Sequence, residues 1–163
     1  MTNNDILRRL RFAFNFNDDM MMKLFALGGQ EVTRAEISNW LKKSDHEEHI
    51  GIYDKQLAIF LNGLIIDRRG KREGPQPKPE KTLNNNIILR KLKIALAFKD
   101  EHIVDTLAKA NIRVSKHEIN AFFRKETQSQ YRKCKDQFLR NFIYGLQIKF
   151  RPEMKLGIDH EEE

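Results

Sequence analysis

This chain of 163 residues has one cysteine and no long apolar run. Its single cysteine, Cys134, has no internal partner, which excludes a small secreted scaffold held together by disulfide bonds. Apolar runs such as 57–61 and 64–66 are far shorter than the ~20 residues of a membrane-spanning helix. The first residues also lack the apolar core of a secretory signal, so the sequence predicts a cytoplasmic protein without a membrane span.

The chain carries more positive than negative charge, and the excess is unevenly placed. Apolar residues make up 40%, enough for a folded core, and the formal net charge is +7. Residues 1–82 carry a net charge of +2, residues 83–156 carry +9, and residues 157–163 carry −4. A polyanion would therefore bind mainly to the second half. The acidic tail either competes for that face or simply solvates the chain.

An internal repeat organises the sequence. Shifted by 82 residues, residues 2–69 align with residues 84–151 without a gap, and 21 of these 68 positions are identical. The match indicates a duplication. We divide the chain into a first helical repeat (1–69), a linker rich in proline, glycine and charge (70–83), a second helical repeat (84–151) and an acidic tail expected to be flexible (152–163).

Each repeat is predicted to form four helices, because apolar residues recur at helical spacing and no alternating β-branched run is present. The expected ranges are 4–15, 19–27, 34–43 and 54–68, repeated at 86–97, 101–110, 116–125 and 136–150. The expected helix-starting residues are the caps Asn4, Asn86, Asp18 and Asp100, the capping boxes Thr33–Glu36 and Ser115–Glu118, and Asp54 and Asp136 beside a helix dipole.

Gly63 and Gly145 occupy the same position in the fourth helix of each repeat. A glycine inside a helix costs ~1 kcal/mol relative to alanine. Its presence twice predicts either a close approach of two helices or a ligand against that backbone. Repeats of this size are marginally stable alone. We therefore expect an all-α fold, in which two tandem four-helix units share an interface with pseudo-twofold symmetry.

The chain resembles the YehS-like family of bacterial proteins, which carry a duplicated domain of unknown function. The motifs that carry the resemblance are NNDILRRLRF, EISNWLKK, FLNGLI with RRGKRE, NNIILRKLKIAL and DQFLR. It covers about residues 2–150 and leaves out the acidic tail. The resemblance implies a small cytoplasmic bacterial protein with two helical domains, and it implies no reaction, cofactor or catalytic residue.

Two groups of polar residues are candidates for binding nucleic acid or another polyanion. Residues 23–43 resemble a helix-turn-helix unit, although the turn is about two residues longer than usual. Its outward residues, and those of the second repeat, suit base or phosphate contacts: Arg34, Ser38, Asn39, Lys42, Lys116, Asn120 and Arg124. The first helix of each repeat adds a basic face: Arg8, Arg9, Arg11, Arg90, Lys91 and Lys93. The alternative is that both groups are ordinary solvated helix faces.

No motif predicts an enzyme, a cofactor or a metal site. The segment DHEEH at 45–49 contains metal-binding side chains, but its repeat counterpart has none, so we interpret it as a polar loop. Cys134 lies among basic residues without a partner base. We therefore expect a non-enzymatic binding or regulatory module with nucleic acid or another polyanion as its ligand. The alternative is a protein–protein adaptor that uses a groove or apolar patch between the repeats. Met20, Met21 and Met22 are the candidates for an exposed apolar cluster, unless one or two of them belong to the core.

Overall fold

The computed structural model describes residues 1–154, except for the side chain of Met154. In that range the chain forms eight α-helices and no strand. The helices are α1 (Asn3–Phe14), α2 (Asp18–Leu27), α3 (Arg34–Leu41), α4 (Asp54–Arg69), α5 (Asn85–Ala95), α6 (Asp100–Lys109), α7 (Lys116–Ala121) and α8 (Asp136–Phe150). The prediction of an all-α chain with two four-helix repeats is confirmed. Pro152–Met154 form a short 3-10 helix, and the acidic residues 157–163 lie outside the described range.

The two repeats pack by exchanging helix partners. α1 of the first repeat lies mainly against α8 of the second, and α5 of the second lies mainly against α4 of the first. Within each repeat, α4 packs on α2 and α8 packs on α6. The fully buried Leu7 and Leu10 of α1, and their counterparts Leu89 and Leu92, face these interfaces. Because each first helix buries its apolar face on the other repeat's last helix, the repeats form one pseudo-symmetric core.

The close helix approach predicted at the repeated glycine is present in both repeats. A Cβ atom added to Gly63 would overlap the backbone carbonyl oxygen of Leu24 in α2. A Cβ atom added to Gly145 would overlap the carbonyl oxygen of Thr106 in α6. Glycine at this position therefore lets the fourth helix of each repeat contact the backbone of the second helix.

Local signals set most helix starts, but the residues predicted as caps are displaced by one or two positions. The capping boxes at Thr33 and Ser115 form as predicted. The first helices are capped by Thr2 and Asn84 rather than by Asn4 and Asn86. Asp18 and Asp100 are the first helical residues, and the N-cap positions belong to Asn17 and Lys99.

Asn4 and Asn86 instead hold the loop between the third and fourth helices of their own repeat. Asn86 Nδ2 donates to the carbonyl oxygens of Phe122 at 3.0 Å and Arg132 at 2.9 Å, and its Oδ1 accepts from the Cys134 N–H at 2.9 Å. Asn4 makes the equivalent three bonds in the first repeat. The prediction of a cap was wrong because these residues are the second of their helices, two positions past the N-cap, and their side chains reach across to the loop.

Asp54 and Asp136 begin the fourth helices as predicted, and each also joins the two repeats. Asp54 accepts from Asn3 Nδ2 at 2.6 Å and from the backbone N–H of Leu83, the last residue of the linker before the second repeat, at 2.8 Å. Asp136 accepts equivalent bonds from Asn85 at 2.8 Å and from the Met1 amino group at 2.7 Å. Helix capping alone therefore does not account for these carboxylates.

The third helices are shorter than predicted, particularly α7. It ends at Ala121, four residues before the predicted end. The Ala121 and Phe122 carbonyl oxygens accept from the Arg132 N–H and Asn86 Nδ2 instead of from residues four positions ahead in a helix. The returning loop therefore ends this helix. No helix within residues 1–154 is long and apolar enough to cross a membrane.

Candidate functional site

Three adjoining depressions on the second repeat form a surface that we call the basic groove. The first lies between the start of α5 and the loop after α7, the second beside the end of α5, and the third at the start of α6. Arg90 lines the first and second depressions, while Lys93 and Phe98 line the second and third. These shared residues make the three depressions one continuous surface.

Cations outnumber carboxylates along this groove. Its seven basic residues are Arg69, Arg90, Lys93, Lys99, Lys116, Arg124 and Lys125. Its three acidic residues are Asp100, Glu101 and Glu126. A concave surface with this balance concentrates positive potential and attracts anions.

The repeat comparison explains why Arg90 is available to a ligand. Its counterpart, Arg8, lies 2.6 Å from the carboxylate of Asp5, three residues earlier on the same helix. The residue equivalent to Asp5 in the second repeat is Ile87, which has no charge. Arg90 is exposed, and its one hydrogen bond among the described residues reaches the Phe123 carbonyl oxygen at 3.5 Å. Without a carboxylate at position 87, the Arg90 guanidinium has no ion pair among the described residues.

Arg124 has lost its carboxylate partner in the same way. Its counterpart, Lys42, lies 2.8 Å from Glu48, and the hydrogen bond from Lys42 holds the pKa of Glu48 below its usual value. The residue equivalent to Glu48 is Gln130. Arg124 Nε is buried without a hydrogen-bond partner in the described structure. A second cation of the groove is thus left unneutralised.

Arg69 contributes a third cation from the first repeat, and sequence reasoning missed it. Its counterpart, Arg151, donates to the carbonyl oxygen of Phe12 at 2.8 Å and lies over the Phe12 ring. Arg69 is exposed at the equivalent end of α5, where it lines the second depression. Its place in the groove follows from the exchange of helix partners, because α4 ends beside α5 rather than beside its own first helix.

In each helix-turn-helix-like segment, the first basic residue of the third helix of the repeat forms an ion pair with acidic residues near the start of the second helix. Arg34 forms ion pairs with Asp18 and Asp19 at the start of α2. In the second repeat, Lys116 lies 3.1 Å from Glu101 and lowers the pKa of that carboxyl group by its hydrogen bond. Asn120 Nδ2 lies 3.4 Å from the Asp100 carboxylate. These pairs reduce the positive potential at the N-terminal ends of α3 and α7.

The other predicted site residues are divided between the interior and the first repeat. Lys91 is buried rather than on the outer face of its helix: its Nζ donates to Asn62 Oδ1 at 2.6 Å and lies 2.9 Å from Glu80 in the linker. Arg9 and Arg11 are half-buried, Ser38 is exposed, and Asn39 accepts a bond from Lys42. The groove thus unites four predicted residues, Arg90, Lys93, Lys116 and Arg124.

A smaller cavity lies between α2, α4 and the linker, and it shares no lining residue with the basic groove. It has a volume of about 330 Å³ and apolar walls that include Leu27, Ile65 and Ile66. Asn62 Nδ2 and Gln76 Oε1 line it without a hydrogen-bond partner in the described structure. One donor and one acceptor are therefore left for water or a small molecule.

The structure does not support the exposed methionine cluster. Met21 is fully buried, and Met20 and Met22 are half-buried against the core.

In the polar loop at 45–49, His46 Nδ1 accepts from the Glu48 N–H and His49 Nδ1 lies 2.7 Å from the Lys42 carbonyl oxygen. Residues 1–154 contain no group of three or more His, Cys, Asp or Glu side chains that could hold a metal ion.

Cys134 is expected to resist alkylation in the folded protein. Its side chain is buried, and burial together with Asp136 raises the pKa of the thiol to about 12. The thiolate fraction at pH 8 is then on the order of one in ten thousand. Iodoacetamide at pH 8, followed by mass spectrometry, should leave the native chain unmodified and label the urea-unfolded chain fully. Rapid labelling of the folded chain would contradict this description.

Comparisons with known proteins agree with the duplication. The model of a family described as "Protein of unknown function (DUF1456)" matches twice, at residues 3–70 and 85–151. The chain is also 43% identical over 147 residues to the uncharacterized protein YehS of Escherichia coli (strain K12), covering 90% of this chain and 94% of that protein. No solved structure matches the chain.

Proposed function

We propose that this chain, which belongs to the DUF1456 family of proteins of unknown function, binds nucleic acid through the basic groove of its second repeat. The observation that carries the proposal is the loss of two carboxylates. Asp5 and Glu48 neutralise cations of the first repeat, whereas Ile87 and Gln130 at the equivalent positions leave Arg90 and Arg124 without an ion pair among the described residues.

Phosphate is the ligand chemistry that these free guanidinium groups favour. Arginine offers a planar set of donors that matches two phosphate oxygens, and it stays charged at every physiological pH. Contacts to a phosphate backbone release bound counterions, so affinity falls steeply as salt increases. The net charge of +9 across residues 83–156 supports the same interaction over a longer range.

Replacing Arg90 and Arg124 by glutamine should weaken binding about tenfold at low salt. Fluorescence anisotropy with a labelled oligonucleotide of mixed sequence measures the affinity at several salt concentrations. The slope of log affinity against log salt should become shallower by about 2, since two phosphate contacts are lost. The matched control is Arg8→Gln with Lys42→Gln, which removes the same charge from the equivalent, ion-paired positions.

The control variant should bind nearly as well as the unchanged protein. Equal losses in the two variants would indicate an effect of net charge rather than of the groove. No binding by the unchanged chain at low salt would eliminate nucleic acid as the ligand. The adaptor alternative would instead be favoured by capture of one protein that persists after nuclease treatment and in high salt.

A further inference from the structure

We infer that the nucleic acid bound in the groove is single-stranded, with bases stacking on Phe123 and Phe98. This inference rests on the proposed function and specifies its substrate class. Both rings line the second depression together with Arg69, Arg90 and Lys93. Alternation of cations with aromatic rings is how proteins bind a single strand, because the cations contact phosphates while the rings contact unpaired bases.

The two rings present surfaces that a base can reach. Phe123 and Phe98 are half-buried, so part of each side chain is accessible to a base, and Phe98 also contacts the rings of His102 and Phe142. Lys93 Nζ lies over the Phe123 ring at 4.2 Å and is also ion-paired with Asp100 at 2.6 Å, while Lys149 Nζ lies over the Phe98 ring at 4.6 Å. A lysine ammonium on a flexible stem can move from the ring to a phosphate when a base stacks there.

Features of α7 disfavour the alternative of a duplex read by a recognition helix. Six residues, 110–115, separate α6 from α7, and α7 itself has six residues. Typical helix-turn-helix motifs have a turn of about three to four residues. Lys116 and Asn120, which would contact bases near the start of such a helix, lie against Glu101 and Asp100. These two side chains are therefore engaged by carboxylates of α6 and are not free to read base edges.

The first repeat lacks the same combination of groups, which gives a test within the chain. The residue equivalent to Phe123 is Leu41, and the cations equivalent to Arg90 and Arg124 are ion-paired. Leucine fits this backbone position in the first repeat. Phe123→Leu therefore removes the aromatic stacking surface from the turn after α7. The new residue is the one that occupies the equivalent position in the first repeat.

The test compares one labelled strand of mixed sequence with the same strand annealed to its complement, at equal salt. The unchanged full chain should bind the single strand at least tenfold more tightly. Phe123→Leu should weaken single-strand binding by about 5- to 150-fold, leaving duplex binding and the salt slope unchanged. A strand carrying 2-aminopurine should show quenched fluorescence on binding, as expected when a base stacks. Phe14→Leu, which alters a half-buried ring outside the groove, is the control.

Equal or tighter binding of the duplex would overturn the inference, as would unchanged single-strand binding by a Phe123→Leu variant whose circular dichroism shows a native fold. If Phe123→Leu fails to fold, absence of 2-aminopurine quenching by the unchanged chain overturns it instead. In each of these cases, salt-sensitive binding that is lost in the Arg90 and Arg124 variant would leave the proposed function intact. If the unchanged chain binds neither the single strand nor the duplex, both the proposed function and the inference of a single-stranded ligand are contradicted.

Discussion

Gly63→Ala is expected to destabilise the protein by about 2 kcal/mol or more, although alanine is the better helix former. The added methyl group would overlap the carbonyl oxygen of Leu24, which is backbone and cannot rotate away. α4 would have to move from α2, and the fully buried Phe25 and Phe60 would lose part of their contact. Overpacking of this kind costs about 1–3 kcal/mol and sometimes more, which outweighs the ~1 kcal/mol gained in helix propensity.

Thermal unfolding followed by circular dichroism measures this effect. For a chain of this size, a loss of about 2 kcal/mol lowers the melting temperature by roughly 4–8 °C. Gly145→Ala should act in the same direction, because its methyl group would overlap the Thr106 carbonyl oxygen. Gly51→Ala is the matched control, since a Cβ atom there meets nothing within 4 Å. A melting temperature for Gly63→Ala equal to that of the control would contradict the close approach of α4 and α2.

The sequence predicts the helices well because their signals are local. Capping boxes at Thr33 and Ser115 need only residues three positions apart, and the apolar spacing in each helix is visible without knowledge of its partner. The exchange of α1 and α5 between repeats is not predictable in this way. The two repeats have the same apolar pattern, so the first helix fits the fourth helix of either one.

The candidate site is only partly predictable for the same reason. Arg90 and Arg124 are visible as cations, and the substitution of Asp5 by Ile87 is visible in the aligned repeats. Arg69 enters the groove only because α4 packs on α5. Lys91, predicted to be an outer cation, is buried against Asn62 and the linker by that same packing. Contacts between repeats, rather than the pattern within one helix, decide which cations face solvent.

The exchange of helices also predicts that the two repeats unfold together. α1 and α5 each complete the core of the other repeat, and Asp136 and Asp54 bond to Met1 and Leu83, which lie just before those two helices. Loss of structure in one repeat therefore exposes apolar surface in the other. Trp40, the one tryptophan of the sequence, is buried in the first repeat and reports on that repeat separately.

Asn86→Ala in the second repeat should consequently unfold the whole chain at a lower temperature. Removing the Asn86 side-chain amide leaves the carbonyl oxygens of Phe122 and Arg132 and the N–H of Cys134 without their hydrogen-bond partner. Each buried group left unpaired costs about 1–3 kcal/mol, so the loss of three partners costs about 3 kcal/mol or more. This is a large part of the about 5–15 kcal/mol that keeps a typical protein folded.

The measurement that tests this prediction is a comparison of circular dichroism and Trp40 fluorescence during heating. Both signals should change at one lowered temperature, although Trp40 lies in the repeat that was not altered. Asn141→Ala in α8 is the control, because the half-buried side chain of Asn141 makes no hydrogen bond among those described in residues 1–154. This variant should melt at nearly the same temperature as the unchanged protein. A Trp40 transition that stays at the original temperature while the circular dichroism falls earlier would mean that the first repeat is stable alone. That result would contradict a shared core, because α4 would then have kept its structure without α5 to cover it.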